Sequence, residues 1–266
     1  MIPTRFTDSQ LQELEPHFFI LDKDEGQVAI SFPSLGDLIN EAFDKGPDDP
    51  WLTPEAQESK RENGVAYQAF KFLEVRRWAA HMRSDRDSGK TILLRTGIRN
   101  VVNGLCVVAK ETRANMELGS AKIPVLERRL LESRAKSDLP ISLEDYLSHS
   151  DDWYVDELDR WGSNYEVRIP LQIAYQRARK QYIKEDEFYQ IDLLAVSPTS
   201  QKQGIGRSLV EQTQVMAARD GLPVYVLTWP DAVGFYEKLG FTRLGCYEDE
   251  RVAEPDVVMR WEATSE

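Results

Sequence analysis

Residues 189–206 read Tyr-Gln-Ile-Asp-Leu-Leu-Ala-Val-Ser-Pro-Thr-Ser-Gln-Lys-Gln-Gly-Ile-Gly. Ile191, Leu193, Leu194, Ala195 and Val196 form a short apolar run, the signature of a buried strand. Pro198 ends it, because proline cannot continue a hydrogen-bonded ladder. Gln201–Gly206 reads as a tight loop holding two glycines. Beyond it Ile205, Leu209, Val210, Met216 and Ala217 recur along one helical face. Asp220-Gly221, followed by Pro223, stops that helix. The layout is strand, glycine loop, helix.

That layout has a chemical use. The first backbone N–H groups of a helix have no partner within it, and the helix dipole makes that end positive. Glycines let an anion approach the backbone, so the loop suits a phosphate or pyrophosphate, with Lys202 and Arg207 able to add charge. The spacing lacks the third glycine of the dinucleotide fingerprint and the Gly-Lys-Ser/Thr of a Walker loop. By itself, a glycine pair ahead of a helix fits a structural turn as well as an anion site.

The wider pattern is more specific. Leu193-Leu194-Ala195-Val196-x-Pro198 with Gln201-x-x-Gly204-x-Gly206 resembles the acetyl-CoA signature of the GNAT superfamily of N-acetyltransferases. Ala232-Val-Gly-Phe-Tyr-Glu-Lys-Leu-Gly-Phe241 looks like that family's later motif, in the expected order and after a strand. The resemblance is strong from about Tyr189 to Gly245, faint over the N-terminal half and absent from the middle. It implies an α/β (α+β) fold: a mixed, mostly antiparallel central sheet flanked by helices, with acetyl-CoA where the fourth and fifth strands splay. It also implies that the backbone of Leu194, Ala195 and Val196 meets the pantetheine arm and the thioester oxygen. Gln201, Lys202, Gln203, Gly204, Ile205, Gly206, Arg207 and Ser208 would surround the pyrophosphate.

On this reading residues 1–266 are a single domain. Residues 1–26 form an N-terminal extension with a short helix at Ser9–Leu14. Gln27–Phe32 alternates as a strand, and Leu35, Leu38, Ile39, Ala42 and Phe43 follow with helical spacing. Tyr67–Met82 reads as a helix, and Thr91–Thr96 with Val101–Lys110 as a hairpin. Residues 111–187 are a helical insertion between the third and fourth strands, resembling what many fungal GNAT proteins carry. Within it Leu171, Ala174, Tyr175, Ala178 and Tyr182 mark a long helix ending near Lys184. Residues 188–247 form the acetyl-CoA-binding core, and Asp231 is expected to cap a helix over Ala232–Leu239.

Amide formation from a thioester needs a neutral amine, help for the oxyanion and a proton for the departing thiolate. Tyr236 matches the tyrosine of the family's Phe-Tyr-x-x-x-Gly-Phe pattern, which implies a proton donor near the cofactor sulfur; a packed tyrosine is the alternative. Asp192 is the candidate base, since a carboxylate in an apolar strand needs a reason, and burial would raise its pKa. A structural carboxylate is the other reading. Lysine-modifying members of the family carry a glutamate two positions earlier, where this chain has Gln190.

The net charge of −12 argues against nucleic acid and would steer a cationic small-molecule amine as acceptor; acidity that only confers solubility is the other reading. Residues 138–166 hold nine acidic side chains against the single base Arg160, interleaved with Trp153, Tyr154, Trp161 and Tyr165. That segment is either an acceptor lid acting through cation–π and charge attraction or a solvated acidic surface. The three histidines and two cysteines show no metal-ligand spacing, so no metal is assigned. Two cysteines, a polar N-terminus and no membrane-length apolar run point to a soluble cytoplasmic protein. The leading function is N-acetylation of a small amine by direct transfer. A protein or peptide N-acetyltransferase and a non-catalytic acyl-CoA-binding module are the rivals.

Overall fold

The computed structural model describes residues 103–120 and 164–263 without a break, and residues 19–22, 26–29, 38–39, 41–43, 46, 52, 54–62, 91–96 and 123–124. Its strands are β1 (Phe19–Asp22), β2 (Gly26–Ala29), β3 (Thr91–Thr96), β4 (Gly104–Thr112), β5 (Glu187–Val196), β6 (Val224–Thr228), β7 (Thr242–Cys246) and β8 (Val257–Trp261). They form one sheet in the order β2-β1-β3-β4-β5-β6-β8-β7. The sheet is mixed and mostly antiparallel, as expected; β1–β3 and β5–β6 are the parallel neighbours. The helices whose bounds are described are α1 (Pro54–Arg61), α2 (Arg113–Ser120), α3 (Tyr165–Tyr182), α4 (Ile205–Asp220) and α5 (Val233–Glu237). No helix among these residues is long and apolar enough to cross a membrane.

Several boundaries differ from the sequence reading. Phe19–Asp22, inside the expected extension, is a strand that pairs with β2 in a hairpin. It adds one to the strand count, so the insertion lies between β4 and β5 rather than between a third and a fourth strand. β4 runs on to Thr112, and α3 begins at Tyr165 instead of Leu171. Pro170 lies inside α3 and forgoes one backbone hydrogen bond there. The helices expected at Ser9–Leu14 and Tyr67–Met82 lie outside the described residues. So does the acidic segment through residue 163.

β5 is the axis of the core, and a bulge divides it. Val108 of β4 faces Ile191, but the preceding Val107 faces Leu193, so Asp192 is the extra residue. The bulge switches the numbering of the two faces. Tyr189 and Ile191 point towards α4 before it, and Leu194 points there after it. Cys106 and Val108 of β4, Val226 of β6 and Met259 of β8 complete that face, under Leu209, Val210 and Ala217 of α4. Burying one such side chain contributes about 1.5–3 kcal/mol. The opposite face of the sheet packs Phe188, Tyr225 and Val258 against Met116 of α2 and Ala178 of α3. Helices therefore cover both faces, and the described ends of the insertion, α2 and α3, form the second layer.

One glycine on that second face has a steric cause. Gly245 has φ +150°, and a Cβ there would meet the Tyr182 hydroxyl at 2.3 Å. The same hydroxyl donates to the Cys246 carbonyl at 3.1 Å, which ties the end of α3 to β7.

Candidate active site

The parallel pairing of β5 with β6 runs through Tyr189–Val224, Gln190–Tyr225 and Ile191–Val226 and stops there, immediately before the bulge. β6 continues to Thr228 on the arm of β8, and β5 continues to Val196 on the arm of β4. The two strands thus splay beyond Ile191. Along residues 192–196 one edge of β5 pairs with β4 and the other opens into the gap. The carbonyl of Val196 is taken by the Gln201 side chain at 3.3 Å. An extended polar chain entering the gap would find strand backbone to pair with, as an added strand does. At the outer end of β6, Trp229 meets Phe43 edge-on, with ring centroids 5.7 Å apart.

At the far end of β5 the chain passes through a short 3₁₀ turn, Pro198–Ser200, into the glycine loop. Gly204 takes φ +83°, and a Cβ there would have nothing within 4 Å. Lys202 shares the left-handed conformation at φ 61°. No side chain caps α4, whose first turn closes with the Ser208 amide bonded to the Gly204 carbonyl at 3.0 Å. Ser208 therefore spends its amide within the helix, and the amides of Ile205, Gly206 and Arg207 precede that first bond. Gln203 folds back onto the Thr199 carbonyl at 3.2 Å, so both glutamines shape the loop. Gly206 differs from the expectation of an open glycine. A Cβ there would point at Phe235, Val196 and Leu194, 3.5–3.8 Å away, so this position serves close helix–strand packing. Arg207 is exposed and lies 3.8 Å from Glu211, while Lys202 projects from the loop into solvent. An uncapped helix start, an open Gly204 and Lys202 together fit a pyrophosphate.

Tyr236 stands on α5, on the α4 face. A 3₁₀ turn, Pro230–Ala232, leads into this five-residue helix, and Asp231 makes no capping side-chain bond, contrary to expectation. Gln214 of α4 instead donates to the Leu239 carbonyl at 2.7 Å and holds the end of the motif. The amides of Leu239 and Phe241 both bond the Tyr236 carbonyl. The ring lies edge-on to Phe235 and Phe241, at 5.0 and 5.3 Å. The side chain is only 4% exposed, and burial first, then the neighbouring Cys106, pushes its phenol well above the ordinary value. The phenol thus holds its proton at neutral pH.

Asp192 stands on the opposite face. The structure corrects the expectation that it is buried: the bulge leaves it exposed beside the open edge of β5. Its Oδ1 accepts a hydrogen bond of 2.5 Å from Gln190 Nε2. That nitrogen also bonds the Tyr175 hydroxyl of α3. Burial, then the Asp192 charge, raises the Tyr175 phenol. Arg179 lies 5.7 Å over the Tyr175 ring and 4.0 Å from Glu111. The chain between β7 and β8 closes this face, where Ala174, Tyr175, Ala178, Tyr247, Pro255 and Asp256 line a narrow crevice. Burial lifts the Asp256 carboxyl to about 6. Sequence reasoning took Tyr175 for one apolar mark on a helix and Gln190 for a departure from a family pattern. The available signal was Gln190 and Asp192 themselves, two polar residues in an apolar strand. Among the described residues no group of three or more His, Cys, Asp or Glu is placed to hold a metal ion.

Residues 172–243 match the acetyltransferase (GNAT) domain family, a stretch that runs from α3 through β7. No curated protein sequence matches the chain. Among solved structures, a mosquito arylalkylamine N-acetyltransferase like 5b is 11% identical, with 92% of this chain and 98% of that one covered and a TM-score of 0.45. A histone acetyltransferase HPA2 and related acetyltransferase from Corynebacterium glutamicum is 14% identical, covering 88% and 92%, with a TM-score of 0.44. PaiA N-acetyltransferase from Thermoplasma acidophilum, solved with coenzyme A, is 10% identical, covering 87% and 92%, at 0.43.

Proposed function

We propose that the chain, whose residues 172–243 match the acetyltransferase (GNAT) domain family, is an acetyl-CoA-dependent N-acetyltransferase that acylates a small cationic amine by direct transfer. The observation that carries this reading is the splay: β5 and β6 part at Ile191, with Asp192 exposed just past that point and Tyr236 buried in the cluster on the other face of the sheet. With the thioester in the gap, an amine approaching from the α3 face loses its proton to Asp192, directly or through water. Its nitrogen bonds the acyl carbon, the carbon–sulfur bond breaks, the departing thiolate takes the Tyr236 proton, and the second surplus proton on the nitrogen passes through solvent to restore the phenol. The pyrophosphate rests on the start of α4. An acid and a base on opposite faces suit a reaction in which one proton arrives as another leaves.

Two further facts support direct transfer to a small amine. Cys106, the cysteine nearest Tyr236, is fully buried and its thiol is pushed up to about 12, chiefly by burial, so it makes a poor acyl carrier. Gln190, where lysine-modifying relatives carry glutamate, weighs against protein lysine as acceptor. The experiment is a thiol-release screen with acetyl-CoA against polyamines, aromatic amines, aminoglycosides and peptides. Turnover with a small cationic amine is expected. Turnover with peptides alone would move the acceptor to protein, and acetyl-CoA binding without thiol release for any acceptor would make the chain a binding module.

A further inference from the structure

Asp192 is an exposed carboxylate on a bulge, and its Oδ1 accepts from Gln190, a residue of the same strand that is only 1% exposed. A glutamine amide nitrogen carries two hydrogens. In this geometry one goes to Asp192 Oδ1 and the other to the Tyr175 hydroxyl, so the phenol is the acceptor and keeps its own proton. The other end of the amide, Oε1, is buried without a partner. Gln190 is therefore engaged at one end alone, and its orientation depends on both partners of that end.

We propose that Tyr175 is a positioning residue for the proposed acetyl transfer: through Gln190 it fixes the Asp192 carboxylate at the mouth of the splay, ready for the amine's proton. The link also accommodates the product of that step. With Asp192 ionised, the amide NH₂ donates to both neighbours. Once Asp192 has taken a proton, it becomes a donor. Turning the amide end for end then lets Oε1 accept from Asp192 and from Tyr175 together, since a carbonyl oxygen has two lone pairs. Only the amide turns, exchanging Nε2 and Oε1, and the phenol never loses its proton. The buried unpaired Oε1 is the half of the amide held for that second state. The charged groups around the link are Arg179 of α3, its neighbour Glu111 of β4, and Asp256 between β7 and β8. Tyr175 belongs to the insertion's helix, so this contact also makes the insertion part of the catalytic apparatus.

The test rests on the proposed function only in its kinetic arm. In the full-length chain labelled with ¹³C at the aspartate carboxyl, the Asp192 signal is assigned by its loss in Asp192→Asn and then titrated. Tyr175→Phe keeps the ring, and Gln190→Met keeps the volume while breaking the same link from the other side. Hydrogen bonds to the charged form of an acid favour that form. Both variants are therefore expected to raise the Asp192 midpoint, by about half a unit for Tyr175→Phe and about one unit for Gln190→Met. With the best amine from the screen, kcat is expected to fall about three- to tenfold while the KM for acetyl-CoA holds and the acidic limb of the kcat/KM profile moves with the midpoint. A midpoint within about 0.2 units of wild type in both variants would overturn the positioning role, whatever happens to stability. Should one variant fail to fold, the other alone decides it. Wild-type turnover in Asp192→Asn would instead remove the base assignment and leave the titration result standing.

Discussion

The two faces of the sheet at β5 are built to different rules. On the α4 face Tyr189, Ile191, Leu194 and Tyr236 lie in one apolar cluster with Cys106, Val226 and Met259, and the buried polar side chain there, Thr213, bonds the Leu209 carbonyl of its own helix. On the α3 face Tyr175, Arg179, Gln190, Asp192 and Asp256 crowd together, and several of their polar atoms are buried without partners. Unpaired buried polar atoms each cost about 1–3 kcal/mol, so a fold retains them only where something else requires them. The contrast teaches where each half of the proposed chemistry would reside. On that reading the apolar face would offer a packed wall to a thioester, with Tyr236 as its proton donor. The polar face would take the proton of the amine.

Breaking the apolar side should have the largest effect. Tyr236→Phe keeps the ring and deletes the proton; general acid help is worth about 10²–10⁴-fold, so kcat is expected to fall that far with acetyl-CoA affinity intact. Steady-state kinetics within about threefold of wild type would show that the phenol is not the donor and that this face is packing only.

The glycine loop sharpens the comparison next, since it should change binding and not chemistry. Gly204→Asp sets a side chain at φ +83° and a negative charge where the pyrophosphate approaches. Left-handed strain costs about 1–3 kcal/mol. Gly204→Ala carries the strain without the charge. Calorimetric titration is expected to show acetyl-CoA affinity about tenfold lower or worse for the aspartate and a smaller loss for the alanine. Equal losses would assign the effect to backbone conformation and remove the anion site.

The smallest effect is on stability, from the polar side. Burial raises Asp256 from its ordinary 3.8 to about 6, so the folded chain binds this proton more tightly than the unfolded chain does. Its contribution is therefore present at low pH and declines as pH rises through that interval. Asp256→Asn should lose this slope and be more stable than wild type at pH 7.5, by about 1–2 kcal/mol, while the two converge near pH 4. Denaturant melts with the same pH dependence in both proteins would show that Asp256 is solvated.

Much of the apolar half was legible in the sequence, because local pattern specifies it. Pro198, the glycine pair, the α4 stripe and the Gly221 stop are each written in a few adjacent residues, and the strand, loop and helix follow them closely. The polar half was not. Tyr175 reads as apolar spacing on a helix until α3 docks on β5, and only then does its hydroxyl meet Gln190. The bulge is hidden for another reason. The alternation from Tyr189 to Leu193 breaks only at the doublet Leu193-Leu194, a single irregularity that a buried strand end produces as readily as a bulge does. The strand at Phe19–Asp22 was missed because its pairing with Gly26–Ala29 and β3 gives it order that four residues cannot carry alone.

The bulge has a genetic corollary. An in-frame loss of codon 192 would leave Ile191 opposite Val108 and the next residue, Leu193, opposite Val107, an unbroken ladder in which every core side chain keeps its side. The fold carries Asp192 as a surplus letter. Its removal predicts a chain that still folds, with a straighter β5 and a narrower opening towards β6, and without its proposed base. If Asp192 is the base, a single in-frame deletion would separate the scaffold from the chemistry.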